Sequence, residues 1–139
     1  MQAHRYSVAA ADRVLTFVRP VADDVRRHYL VLRRDLSALR DLDMLDEITS
    51  DESVPEPVRA RLMELQTCLQ ELRQLDVVLM DPEIGLVNLP GVLADGRPVT
   101  FCWKLGEERV RFWYPAGASY GDRRPIPVQA AADAAADPA

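Results

Sequence analysis

The chemistry open to this chain rests on few side chains. Imidazole is offered only by His4 and His28, and thiol only by Cys68 and Cys102. The two cysteines lie far apart with no Cys-x-x-Cys pairing, so neither a zinc knuckle nor a dithiol redox pair is signalled. A metal site would need several ligating side chains to converge, and two scattered histidines do not supply them. His4 falls near the N-terminus and His28 beside an apolar stripe among arginines, where a solvated or structural role explains each. The 22 acids allow many carboxylate pairs, but spacing singles out none, and Glu107-Glu108 reads as a solvated turn. No Gly-x-Ser-x-Gly elbow and no glycine-rich phosphate loop ahead of a helix occurs. Neither a catalytic residue nor a cofactor is therefore expected, and the reading leans away from an enzyme.

Two constellations remain as binding candidates. Cys102, Trp113, Arg123 and Arg124 could line a small-ligand or metal site where a β-hairpin meets the helices, since an arginine pair on a constrained loop can grip a carboxylate or phosphate. A strand cysteine packed in the core accounts for Cys102 better than a site does. Arg19, Arg26, Arg33 and Arg40 recur every seven residues, joined by Arg27 and Arg34, as a basic ridge that RNA or a ribosome could use. Against that, Asp23, Asp24, Asp35 and Asp41 are interleaved at ion-pair spacing, no aromatic platform shares the face, and the net charge is -5. Nucleic acid is thus disfavoured as a partner.

The elements that would hold these residues follow from periodicity. From Ser7 to about Glu47, Val14, Val18, Val21, Val25, Tyr29, Leu32, Leu36 and Leu39 recur in steps of three and four, as one helix face requires. Ser7 can cap this helix, although Ala10 stands where a capping box would place an acid. Pro20 predicts a kink or short break near Arg19. Ser53-Val54-Pro55-Glu56 matches a capping box, opening a second helix with the stripe Val58, Leu62, Leu65, Leu69, Leu72 and Leu75. The two would zip into a coiled-coil-like antiparallel hairpin. At 1.5 Å per residue the first helix would run roughly 60 Å and the second roughly 30 Å. Val14, Val18, Val21 and Val25 therefore need another cover, either the following β segment, which is favoured, or a second chain.

Past Asp76 the period changes. Val77 to Met80 and Ile84 to Leu89 read as short strands, the second bounded by Pro90-Gly91. After the Asp95-Gly96 turn, Val99, Phe101 and Trp103 alternate with polar residues, and Val110, Phe112 and Tyr114 alternate with Arg111 and Trp113. The first set, with Val110, Phe112 and Tyr114, suits the core; Cys102 and Trp113 fall on the other face.

The run from Asp81-Pro82-Glu83-Ile84-Gly85-Leu86-Val87-Asn88-Leu89-Pro90 through Asp95-Gly96-Arg97, Cys102-Trp103-Lys104-Leu105-Gly106-Glu107 and Phe112-Trp113-Tyr114 to Gly121-Asp122-Arg123-Arg124-Pro125 resembles the bacterial family catalogued as domain of unknown function 2203. Tyr6-Ser7-Val8 and the Arg19-Pro20 pair are similar too. Two departures stand out. Where the family often has acids just after the position of Ser7, this chain has Ala9 and Ala10, and Tyr114 stands where it often has a histidine. Any role of that histidine is closed to this chain. The resemblance implies a fold and no activity.

Fold class is thus expected to be α+β, as a single domain over residues 1–128. It would comprise a helical hairpin over about 7–76, a small antiparallel β segment over about 77–115 and a loop over 116–128. An alanine-rich acidic tail, 129–139, is expected to be disordered. No stretch reaches the roughly 20 apolar residues of a membrane span and no signal peptide is apparent, which predicts a cytoplasmic protein. The leading expectation is a non-enzymatic interaction or assembly module with a protein partner or a second copy of itself, through Val14 to Val25 on the first helix.

Overall fold

A computed structural model describes residues 4–36, 39 and 42–127. The tail predicted over 129–139, and Arg40 of the basic ridge, lie outside the described residues. The first helix, α1 (Val8–Asp35), is capped as its sequence suggests, the Ser7 hydroxyl accepting from the Ala10 amide at 3.1 Å. It continues through Pro20 to Asp35, and Leu36 then turns extended.

The single helix expected to about Glu47 is therefore two. A short 3-10 turn (Leu42–Met44) leads into α2 (Leu45–Ser50). Local helix propensity loses here to burial. The longest helix after it, α3 (Glu56–Gln74), has 19 residues against 28 in α1. A straight continuation would carry the later stripe past the start of α3 into water. Turning back buries Leu39, Leu45 and Ile48 instead, and the Gln66 amide ties α2 to α3 through Asp46 at 2.7 Å. Nor does the capping box expected at Ser53 form. Asp51 accepts both the amide and the hydroxyl of Ser53, and Pro55 takes the N-cap position one turn before Arg59, whose amide bonds the Pro55 carbonyl at 2.9 Å.

α1 and α3 pack side by side with contacts running in opposite order. Tyr6, just before α1, donates its hydroxyl to the Leu75 carbonyl just after α3, at 2.5 Å. Near the other end, His28 meets Arg61 and Glu64 at 3.1 and 3.3 Å. The core face of α1 is Val8, Ala11, Leu15, Val18, Ala22, Val25, Tyr29 and Leu32. The small residues Ala11 and Ala22 complete it where sequence reading had placed Val14 and Val21, which sit half-buried on its flank.

Five strands form one antiparallel sheet in sequential order: β1 (Val78–Asp81), β2 (Leu86–Val92), β3 (Pro98–Trp103), β4 (Phe112–Tyr114) and β5 (Arg124–Pro125). β2 runs on through Pro90-Gly91, which the sequence had suggested as its boundary. Pro90 lacks an amide hydrogen, but its carbonyl accepts from the Tyr6 amide at 2.7 Å, and the Val92 amide returns to the Tyr6 carbonyl at 2.8 Å. Tyr6 thereby takes the place beside β2 that β1, ending at Val78 opposite Asn88, leaves open. Gly91 is needed for packing rather than for an unusual backbone angle: a Cβ there would sit 2.5 Å from the Phe101 ring.

The inner face of the sheet, with Val87, Leu89, Val99, Phe101, Trp103 and Trp113, joins α1 and α3 in one buried cluster. Val18 and Val25 are at 0 % exposure within it, so the chain's own sheet and helices cover them. On the outer face Leu86, Cys102 and Tyr114 form a second, smaller cluster roofed by Phe112, Ala118 and Tyr120. β5 arises from the stretch expected to be loop. No alternation marks it as a strand, yet it pairs Pro125 with Phe112 and Arg124 with Trp113 at the sheet edge, where proline is tolerated.

Candidate functional site

The arginine ridge of α1 has a structural use. Asp12, Arg19, Arg26 and Arg33 recur every seven residues, and all four reach across to the loops at one end of the sheet. Asp12 accepts the Val110 amide at 2.8 Å, and Arg19 donates to the Glu108 carbonyl. Arg26 donates to the Glu83 carbonyl at 2.9 Å and Arg33 to the Glu83 carboxylate at 2.8 Å. Seven residues fall about 20° short of two whole turns, so the row drifts slowly enough to stay on one side of the helix. Burial pushes the Asp12 carboxyl up, and the Val110 amide, Arg109 and Arg19 oppose that. Arg27, off this row, pairs with Asp23 and Asp24. Asp12 was missed in the sequence because an acid breaks the basic pattern; its seven-residue spacing from Arg19 was the available signal.

The four residues grouped as a ligand site do not meet. Cys102 pairs with Phe112 across β3 and β4, while Trp113 pairs with Phe101, so the thiol and the indole lie on opposite faces of the sheet. The expectation that Phe112 and Tyr114 face the core with Val110 is corrected by the same register. Val110 precedes β4 in an irregular loop and enters the main core, and the alternation restarts one residue out of step, with Trp113 inward. Strand alternation then divides the arginine pair. Arg124 lies 5.4 Å from the Trp113 ring, which Arg97 also approaches at 5.2 Å, whereas Arg123 lies 4.2 Å from the Tyr120 ring and 5.2 Å from Phe112.

Arg123 and Cys102 remain together on the outer face. The Cys102 thiol is 1 % exposed, and burial, with the Glu107 carboxylate adding to it, pushes it up to about 11 despite Arg123 and Lys104. It stays protonated near neutrality, a packed thiol and not a nucleophile. Beside it opens a groove of about 540 Å³ lined by Lys104, Arg111 and Arg123, by Glu107 and Glu108, and by Phe112 and Tyr120. Among the described residues no group of three or more His, Cys, Asp or Glu side chains could hold a metal ion.

A second surface feature lies on α1. Val14, Phe17 and Val21 follow one another at i, i+3 and i+7, and Phe17 is 65 % exposed between the half-buried valines. Val14 and Val21 thus keep the surface position that Val18 and Val25 lose. β1 also exposes Val78 and Met80, but the pairing shifts register between Leu79 and Asp81, leaving a bulge that turns this edge away from simple strand addition. Among the described residues no helix is long and apolar enough to cross a membrane.

Residues 4–126 match the family described as "Uncharacterized conserved protein (DUF2203)". No curated protein and no solved structure matches the chain. The match covers most of the sequence, and the chain belongs to this family.

Proposed function

We propose that this family member is a non-enzymatic assembly module that self-associates through the exposed flank of α1. The observation that carries the reading is Phe17, 65 % exposed between Val14 and Val21 on one helical stripe. Large apolar side chains scattered singly on a surface mean little, but a helical run of anchors at i, i+3 and i+7 is the pattern by which one helix packs on another. A second copy is the partner this stripe suits. When two α1 helices meet antiparallel about a two-fold axis between positions 17 and 18, Val14 of each faces Val21 of the other and the two Phe17 rings flank the axis. Each side then buries the same three side chains with no polar group among them.

Association of two copies follows mass action and is therefore concentration-dependent. Size-exclusion chromatography with light scattering tests it: the wild-type chain runs as a dimer, and Phe17→Glu or Val21→Glu runs as a monomer with an unchanged far-UV spectrum. A wild-type monomer at every concentration overturns the proposal.

A further inference from the structure

The outer-face groove is separate from the α1 stripe, and its chemistry is that of an anion site. Three cations line it, Lys104, Arg111 and Arg123, and among the described residues none of them forms an ion pair with a carboxylate. Two carboxylates, Glu107 and Glu108, line it as well, and the first is partly spent. Glu107 accepts the Lys104 amide at 3.0 Å, and its carbonyl accepts the Trp103 indole at 2.8 Å, so it serves as the brace of the loop.

Arg123 is also held ready. Its guanidinium lies against the Tyr120 and Phe112 rings and donates to the Tyr120 carbonyl at 3.4 Å. The turn that carries it is closed at both ends, since the Ser119 amide and hydroxyl both donate to the Asp122 carboxylate at 3.0 and 3.1 Å. Those bonds hold the Asp122 carboxyl below its usual range and keep it engaged with Ser119. A planar guanidinium fixed by aromatic contact presents its remaining N–H groups in one direction at little entropic cost, the arrangement suited to a multiply charged oxyanion. Lys104 adds a point charge. We infer that the Lys104, Arg111 and Arg123 groove binds a phosphate group, either as free phosphate or carried on a small metabolite.

Lys104 is the only lysine of the chain, so its reactivity reports on the groove directly. The full chain is titrated with inorganic phosphate and, separately, with glycerol 3-phosphate at constant ionic strength, and acetylation of Lys104 is followed by peptide mass spectrometry. Either probe is expected to protect Lys104 saturably. Arg123→Gln weakens that protection at least about tenfold, the loss of one charge-assisted contact, while Arg124→Gln on the Trp113 side leaves it unchanged. Tighter protection by glycerol 3-phosphate assigns the phosphate to a carried group, and equal protection assigns it to the free ion; both support the site. Absence of saturable protection with both probes overturns it, as does equal weakening by Arg123→Gln and Arg124→Gln, the mark of general screening. The readout does not depend on self-association, which is measured apart from it.

Discussion

Gly91→Ala tests the packing of helices on sheet through a single added carbon. Gly91 lies in β2 opposite Val99, and a Cβ there would approach Cδ2 and Cε2 of Phe101 to 2.5 Å. Carbon atoms rest at about 3.5–4.0 Å, so the ring must retreat by about 1 Å. It has nowhere to go, because Phe101 is fully buried at the centre of the main cluster. Overpacking of this kind costs about 1–3 kcal/mol, and the upper half of that range is expected here. Phe101→Leu alone leaves a void and costs about 1–2 kcal/mol. In the double variant the smaller side chain admits the new methyl, so the combined loss falls short of the sum by at least about 1 kcal/mol. Urea unfolding followed by the fluorescence of the buried Trp103 and Trp113 measures all three. Losses that add to within about 0.5 kcal/mol refute the steric account of Gly91.

Asp12→Ala strands the Val110 amide, which is 3 % exposed as a residue, and is expected to cost about 1–2 kcal/mol in the same assay; Asp12→Asn keeps an acceptor and stays closer to wild type. Arg33→Ala, which loses an exposed pair with Glu83 and a contact with the Tyr29 ring at 5.7 Å, costs less than Asp12→Ala. The Cys102 thiol, raised by burial from 9.0 to about 11, ionises more readily in the unfolded chain. Stability supplied by its protonated form is whole below about 9 and declines as pH rises toward 11, by about 2–3 kcal/mol in all. Cys102→Ala removes that part of the alkaline slope, and an unchanged slope contradicts the burial argument. In the native state near neutral pH, a thiol reagent leaves Cys102 unmodified until urea unfolds the chain.

What could be read from the residues depended on whether the signal was local. The Ser7 cap, the stripes of α1 and α3, the strand at Val78 and the turn at Asp95-Gly96 each follow from side chains within a few positions of one another. The break after Asp35 does not, because it reflects the length of α3 and the need to bury Leu39, Leu45 and Ile48. The passage of β2 through Pro90 rests on β3, which pairs Thr100 and Val99 opposite Pro90 and Gly91, and on Tyr6, more than eighty positions away in sequence, on the other edge. The site suffered most from a slip of one residue. Placing Val110 in strand with Phe112 put Trp113 on the face of Cys102, and a period-two pattern turns every assignment over when its start is wrong by one. The arginine ridge was legible as a pattern, but only the fold shows that the loops at Glu83 and Glu108 occupy three of its members.

Self-association through α1 is tested most directly by comparing the dissociation constants of the wild-type chain and Phe17→Ala by sedimentation or light scattering across a concentration series. Burying a phenyl side chain contributes about 1.5–3 kcal/mol, and 65 % of each Phe17 is open to be buried. With two rings at the interface, the substitution weakens association by about 2–4 kcal/mol, or about thirtyfold or more. A dimer weakened by that factor, with unaltered unfolding of the monomer, is the predicted result. A dimer indifferent to Phe17, or a chain that never dimerises, contradicts the proposal.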